Sequence, residues 1–299
     1  MRRVLKWVGI VLGSLIGLVI IAYLAMTVIV NQRANREYEI ETAELTIPTD
    51  AESIAEGGRL VAFRACTDCH GDDYSGDVLI DDPAIGTIYA ANISGGAGSP
   101  TADYTPRDWD LVIRHGVGPD GTSLWAMPSS DYARVSDEDL SLMIAYLESL
   151  PPVDNELPEP ELGPLGTVLT ALGQLPAFSA EAIDHDNPPP AVVQAEVSVE
   201  YGEYLATTCT GCHGMNFAGG PIPGAPPDYP PAANLTPAGN LANWTQEDFI
   251  TTLSTGVTPE GKVLDPQYMP WPITEPMTDD ELTAIWLYLQ SLEPVETEG

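Results

Sequence analysis

Cys66-Thr67-Asp68-Cys69-His70 is the stretch on which the fold of this chain depends. A C-x-x-C-H run is the pattern used for covalent attachment of a c-type haem. The two thiols lie one helical turn apart, so both can bond to one edge of a porphyrin, and the histidine that follows is placed to coordinate the iron. A redox or zinc-binding cysteine pair followed by a chance histidine would give the same letters.

The same motif occurs a second time, as Cys209-Thr210-Gly211-Cys212-His213. The two motifs together use all 4 cysteines and two of the 4 histidines of the chain. A chance histidine does not explain such a repetition. The sequence therefore predicts two covalently bound haem c groups. The predicted attachment residues are Cys66, Cys69, Cys209 and Cys212. His70 and His213 are each predicted to supply one axial ligand to the iron of their haem.

Other runs recur in the same order, which indicates two copies of one domain. They are Ala90-Ala91-Asn92-Ile93 with Ala232-Ala233-Asn234-Leu235, Met127-Pro128 with Met269-Pro270, and Ser136-Asp137-Glu138 with Thr278-Asp279-Asp280. The stretch between the copies contains Pro188-Pro189-Pro190 and many acidic residues, so we expect a stiff and mostly extended linker with one short helix near 165–175.

Each copy is predicted to be helical. A helix over about 52–65, or 198–208, leads to the haem motif, and a last helix with a periodic apolar face begins after Ser136 or Thr278. A middle helix is predicted from its caps, with N-caps at Thr105 and Thr245 and stops at Gly116 and Gly256. No long alternating strand pattern appears in either copy. The predicted fold class is therefore all-α, with each domain a small helical shell around one haem.

Methionine is the usual second axial ligand in electron-carrying c-type domains. Met127 and Met269 occupy equivalent positions in the two copies, each in a loop and each followed by a proline that fixes the backbone. We therefore predict both as the second iron ligands. His115 competes with Met127 for the first haem, but its counterpart in the second copy is Thr255, so a role at the end of a helix is favoured.

Residues 7–30 form an apolar run without a charged side chain. As a helix the run is about 36 Å long, enough to cross a hydrocarbon core of about 30 Å. Arg2, Arg3 and Lys6 precede it, which predicts a cytoplasmic N-terminus and haem domains on the extracytoplasmic, periplasmic or outer, side of the cell membrane. A cleaved signal peptide is the alternative, but the run is long and lacks a small-residue cleavage site.

The predicted organisation of the whole chain is an N-terminus (1–6), a transmembrane anchor (7–30), a tether (31–50), a first haem domain (51–152), a linker (153–195) and a second haem domain (196–299).

The chain carries 44 acidic and 11 basic residues, for a net charge of −33. Such a surface repels nucleic acid and anionic lipid and attracts a basic redox protein. Solubility in a saline or acidic habitat explains the same composition equally well. The anchor suggests a second transmembrane helix as a further partner. Gly9, Gly13 and Gly17 fall on one face of the anchor helix and would allow another helix to approach closely.

With these residues in place, the chain resembles class I cytochromes c, and more narrowly the multihaem cytochrome c subunits of membrane-bound alcohol, aldehyde and sugar-acid dehydrogenases. The runs that carry the resemblance are CTDCHG (66–71), GTIYAANIS (86–94), RHGVGPDG (114–121), AMP (126–128), YARVSDEDL (132–140) and AYLESLPP (145–152), then CTGCHG (209–214) and MPWP (269–272) in the second copy. The resemblance implies tandem class I domains, histidine–methionine ligation, and electrons passing from a dehydrogenase towards quinone or a terminal acceptor. Those subunits usually carry three haem motifs and no N-terminal anchor, whereas this chain has two motifs and an apolar N-terminal run.

The sequence thus predicts a membrane-anchored dihaem electron carrier that is not itself an enzyme and that serves a dehydrogenase or respiratory complex. One alternative is a permanent cytochrome c subunit of a larger respiratory or photosynthetic complex, such as a haem–copper oxidase. Another is a dihaem enzyme such as a peroxidase. That enzyme needs one haem with an open distal position, and the parallel placement of Met127 and Met269 argues against the asymmetry.

Overall fold

The structure is a computed structural model that describes residues 2–222, 225 and 228–297. A long N-terminal helix is followed by two helical units of similar order. The helices up to the end of the first unit are α1 (Arg2–Ala34), α2 (Ala51–Phe63), α3 (Cys66–His70), α4 (Pro106–His115), α5 (Ser129–Tyr132) and α6 (Asp137–Glu148). The linker contains α7 (Pro164–Ala171). The second unit contains α8 (Val199–Ala206), α9 (Thr210–His213), α10 (Gln246–Thr255) and α11 (Asp279–Ser291).

The helix boundaries follow from capping interactions that occur in both units. Thr105 and Thr245 each form a capping box with the acidic residue three positions later. Gly116 and Gly256 adopt left-handed backbone angles, with φ of 61° and 69°, and end the same two helices. These four predicted boundaries are confirmed.

The first and last helices of each unit pack closely because a glycine lies where they cross. In α2, a Cβ atom on Gly57 would overlap the backbone oxygen of Leu142 in α6. In α8, a Cβ atom on Gly202 would overlap the backbone oxygen of Ala284 in α11. Only glycine allows the two backbones to approach this closely. The equivalent crossings show that the two units are built on one plan.

A small antiparallel sheet departs from the all-α prediction. Its strands are β1 (Asp77–Asp82), β2 (Gly86–Ala90) and β3 (Glu161–Leu162), in the order β1-β2-β3. Gly86, with φ of 131°, allows the chain to turn from β1 into β2. The third strand comes from the linker, where Glu161 pairs with Thr87. The prediction missed the sheet because the strands are short and one pairing joins segments far apart in sequence.

Helix α1 contains the apolar run and is the one helix among the described residues that is long and apolar enough to cross a membrane. Most of its side chains are exposed, but Val30 near its C-terminal end is buried. Arg33 donates to the backbone oxygen of Thr170 at 2.6 Å and forms an ion pair with Glu181. The end of α1 is therefore attached to the linker.

The two units share one continuous buried hydrophobic cluster. Arg59 of α2 forms an ion pair with Glu281 of α11, with 2.8 Å between Nη1 and Oε2, and the Glu281 side chain is only 5% exposed. Tyr204 of α8 donates to a carboxylate oxygen of Asp139 in α6 at 2.6 Å. The units are thus held together by direct packing as well as by the linker.

Candidate haem-binding sites

Each C-x-x-C-H motif forms a short helix that follows the first helix of its unit. In the first unit Ala65 takes a left-handed conformation, with φ of 58°, between α2 and α3. In the second unit a 3₁₀ turn over residues 207–209 joins α8 to α9. The two cysteines of each motif are three residues apart within about one helical turn, and none of the four forms a disulfide bond. This is the spacing that the sequence predicts.

The histidine of each motif is oriented by the same hydrogen bond. His70 Nδ1 lies 2.7 Å from the backbone oxygen of Ala91, and His213 Nδ1 lies 2.8 Å from that of Ala233. A carbonyl oxygen only accepts, so Nδ1 carries the proton and Nε2 retains its lone pair. Burial lowers the pKa of both histidines despite these hydrogen bonds. Both imidazoles are therefore neutral and oriented as metal ligands need to be.

An asparagine directly follows each residue whose carbonyl orients a histidine, and its side chain ties that loop to the segment after the last helix of the unit. Asn92 donates to the backbone oxygen of Val153 at 2.8 Å and accepts from the hydroxyl of Ser94. Asn234 makes the equivalent bonds to Val295 and Thr236. The repeated Ala-Ala-Asn run is visible in the sequence, but its function in orienting the histidines depends on contacts that only the tertiary structure shows.

The two predicted methionine ligands are each followed by a proline, and the two prolines have nearly the same backbone conformation. Pro128 has φ −78° and ψ 54°, and Pro270 has φ −74° and ψ 56°. In each loop the methionine oxygen accepts the N–H two residues later, from Ser129 at 2.8 Å or Trp271 at 2.7 Å. These are inverse γ-turns. Met127 packs against the buried hydrophobic cluster.

Arg64 lies between the two motifs. Its side chain is 3% exposed, and Nη1 donates to Thr207 Oγ1 at 3.2 Å. The guanidinium also lies over the ring of Tyr204, with 5.3 Å between the guanidinium carbon and the ring centroid. Its Nη2 has no hydrogen-bond partner among the described residues. Arg64 could not be predicted as a site residue, because no pattern distinguishes a single arginine before a motif.

The charge of Arg64 acts on both attachment sites. Burial raises the pKa of Cys66 to about 12 and that of Cys209 to about 11, whereas the positive charge of Arg64 acts on both pKa values in the opposite direction. One buried cation is within electrostatic reach of both motifs.

His115 is already engaged elsewhere. Its Nδ1 lies 3.1 Å from Nδ1 of His185, whose Nε2 donates to the backbone oxygen of Ala180. The pKa of His115 is lowered to about 4, mainly by burial; Asp110 opposes this shift and the positive charge of Arg114 adds to it. His115 therefore joins the end of α4 to the linker, and His185 is part of that connection.

The donor set fits a covalent haem in each unit. It combines two thiols on one helical turn with a neutral histidine whose Nε2 is available, and a methionine follows in a fixed turn. In the second unit the buried indole N–H of Trp271 also has no partner among the described residues. Such a donor suits a polar substituent of a bound group, for example a carboxylate.

Comparison with known proteins agrees with this geometry. The sequence model of the cytochrome c family matches residues 54–151 and 199–293. The cytochrome c subunit of a quinone-dependent alcohol dehydrogenase from Gluconacetobacter polyoxogenes is 29% identical, over 84% of this chain and 58% of that subunit. The fructose dehydrogenase cytochrome subunit of Gluconobacter japonicus is 28% identical, over 86% of this chain and 57% of that subunit. A diheme cytochrome c-type protein of Cereibacter sphaeroides is 26% identical, over 81% of this chain and 86% of that protein.

The chain thus spans somewhat more than half the length of the two dehydrogenase subunits. The two matched segments each contain one C-x-x-C-H motif with its oriented histidine, and together they cover most of the chain outside the N-terminal helix and the linker. A family model that matches twice, at the two structurally equivalent units, establishes that this chain belongs to the cytochrome c family and contains two cytochrome c domains.

Proposed function

We propose that this chain is a membrane-anchored dihaem cytochrome c that transfers electrons from a dehydrogenase or respiratory complex to a downstream acceptor. The observation that carries the proposal is the duplication of the site. The histidine–carbonyl bond, the asparagine and the Met-Pro turn occur in both units with nearly equal dimensions. An enzyme that binds substrate at one iron requires unequal haem surroundings, whereas a carrier works with two similar ones.

In this proposal the first domain spans residues 51–152 and the second 196–299. The attachment residues are Cys66 with Cys69 and Cys209 with Cys212, and the axial pairs are His70 with Met127 and His213 with Met269. When bound, the haem irons supply the one-electron chemistry. The chain orients the imidazoles through the carbonyls of Ala91 and Ala233 and positions the methionines by rigid turns. The match over 86% of a diheme protein supports a count of two.

The proposed donor is a dehydrogenase, because relatives are named as the cytochrome c subunit of an alcohol dehydrogenase (quinone) and the cytochrome subunit of a fructose dehydrogenase. The proposed anchor is α1, with the haem domains on the extracytoplasmic side. A basic docking surface on the partner would match the net charge of −33. A glycine face of α1, at positions 9, 13 and 17, has open space beside it and would suit a partner helix if the chain is a permanent subunit.

Replacing Cys66 and Cys69 together with alanine is expected to reduce the covalent haem content from two groups per chain to one. The pyridine haemochrome assay, normalised to protein mass, measures this ratio. The matched change at Cys209 and Cys212 should leave one haem in the other domain. A wild-type ratio of one haem per chain would contradict the dihaem assignment.

The spectra of the full-length protein in detergent separate a carrier from an enzyme. We expect two low-spin haems, a methionine-to-iron charge-transfer band and no change on adding carbon monoxide. A high-spin haem or one that binds carbon monoxide would mean an open iron position, and the carrier proposal would then be replaced by an enzymatic one.

Replacing Arg64 with methionine is expected to lower both haem reduction potentials, because a buried positive charge favours the more negative, reduced state of nearby groups. One charge at roughly 10 Å and an effective dielectric constant near 20 corresponds to ~70 mV. Potentiometric titration of the purified protein measures the shift. Arg64→Lys keeps the charge and should retain most of the potential, and equal shifts in the two variants would assign Arg64 a packing role only.

A further inference from the structure

The linker contains a long stretch without any charged residue. Residues 162–180 include no Asp, Glu, Lys or Arg, although the chain as a whole has 44 acidic residues among 299. At that average density, about one acid in seven residues, a stretch of this length would carry two or three. The uncharged stretch includes all of α7 (Pro164–Ala171).

Helix α7 packs against α1, and Thr170 of α7 accepts a hydrogen bond from Arg33 in the last turn of α1. The side chains of α1 that are shielded from solvent recur at helical spacing near its C-terminal end, and they include Met26, Thr27 and Val30. These residues belong to the apolar run 7–30 that is proposed to cross the membrane. Met26 lies only about 6 Å along the helix from the end of that run. Because α7 is bonded to Arg33, one turn beyond this run, α7 lies at the level of the membrane interface.

The attachment at this depth is specific. Arg33 lies one turn beyond the buried Val30 and donates to the backbone oxygen of Thr170 at 2.6 Å, near the C-terminal end of α7. The same guanidinium binds Glu181, just after the uncharged stretch, with 2.9 Å between Nε and Oε1. The membrane helix and α7 are thus held together at the position where the chain leaves the apolar run.

Helix α7 has one face on the protein and one face that no described part of the chain covers. Gly166, Thr167 and Thr170 are buried, and a Cβ atom on Gly166 would overlap the backbone oxygen of Ile85. Leu165 and Leu172 lie two turns apart on the other side and are 46% and 58% exposed. An exposed apolar face beside a membrane helix suits lipid better than water.

Electrostatics favours a lipid surface at this place. Most of the acidic surface is repelled by anionic lipid, so uncharged stretches can approach a membrane more closely than the rest of the chain. Residues 83–102 and 204–227 are also uncharged, but 162–180 is the uncharged stretch that is bonded to the end of α1. Arg33 and Arg36 at the end of α1 lie where lipid phosphates are found, and arginine commonly occupies that level. The membrane is thus the occupant that both the position and the composition of α7 support.

We propose that α7 is an interfacial helix that lies on the outer surface of the membrane crossed by α1, with Leu165 and Leu172 inserted among the lipids. The inference rests on the proposed anchoring by α1. It implies that the first cytochrome domain is held at the lipid surface in one orientation, which limits how its donor and acceptor can approach.

The test uses the full-length holoprotein in vesicles of phosphatidylcholine that contain a small fraction of a phosphatidylcholine with a photoactivatable diazirine in the upper acyl chain. After irradiation, the labelled peptides are identified by mass spectrometry. We expect labels on peptides from α1 and from α7. Labelling of α1 without α7 would overturn the interfacial helix and leave the anchor intact, whereas labelling of neither would contradict the anchor itself.

The double variant Leu165→Gln/Leu172→Gln should reduce labelling of α7 at least fivefold and leave labelling of α1 unchanged. The matched control is Val257→Gln/Val263→Gln, which changes two exposed apolar residues of the second domain and should alter neither signal. Two haems per chain in both variants would show that they are folded. Equal labelling of α7 in the wild type and the leucine variant would overturn the insertion of these side chains.

Discussion

Replacing Met269 with alanine is expected to lower the reduction potential of the second haem by on the order of 100–300 mV and to allow that haem to bind carbon monoxide. Axial ligands set haem potentials over a range of ~0.8 V, and loss of a thioether removes a ligand that favours the reduced state. The inverse γ-turn at Pro270 fixes the backbone directly after the methionine, so the residues that follow it are poorly placed to substitute for it. Potentiometric titration and carbon monoxide difference spectra measure the two effects.

Two other methionines provide matched comparisons. Met127→Ala should produce the same changes at the first haem, because the turn at Pro128 has the same shape. Met215→Ala should change neither the potential nor carbon monoxide binding, because this side chain is 85% exposed although it lies two residues after His213. An unaltered potential in Met269→Ala would show that another residue binds the second iron.

Replacing Gly57 with alanine is expected to destabilise the protein by about 2–3 kcal/mol. At an ordinary helix position this change would stabilise by up to ~1 kcal/mol, because alanine is the better helix former. At Gly57 the added methyl group overlaps the backbone oxygen of Leu142, which cannot rotate away, so α2 and α6 must separate. Guanidinium-induced unfolding, followed by circular dichroism and haem absorbance, measures the change.

The neighbouring glycine is the control. A methyl group at Gly58 meets the ring of Tyr146, a side chain that can rotate, so Gly58→Ala should change the free energy of unfolding by less than ~1 kcal/mol. Gly202→Ala should reproduce the large effect in the second domain, where the obstacle is the backbone oxygen of Ala284. A Gly57→Ala variant as stable as the wild type would show that the helices do not cross as closely as described.

Local and repeated features could be predicted from the sequence alone. The two cysteine motifs, the capping residues Thr105 and Thr245, and the apolar run 7–30 each depend on residues that are close together in the chain. Their physics is short-ranged: a cap acts within one helical turn, and a membrane helix needs only length and apolar composition. Because the motif and the caps each occur in both copies, the repetition strengthened each local prediction and supported the resemblance to the cytochrome c family.

Features that join distant segments were decided only by the tertiary structure. Strand β3 pairs with β2 across about 75 positions of sequence, the carbonyl of Ala91 reaches His70 from another loop, and His185 of the linker meets His115. Such contacts depend on how the whole chain packs, and no periodicity in one segment records its distant partner.

The same reason explains why the sequence did not reveal Arg64 or the surroundings of α7. The sequence shows that Arg64 precedes a haem motif, but only packing of α2 against the second unit brings it next to Thr207 and leaves it buried. Likewise, composition alone marks residues 162–180 as uncharged. Their position beside the end of α1 follows from the fold, because burial and proximity are properties of the packed chain and not of its local residues.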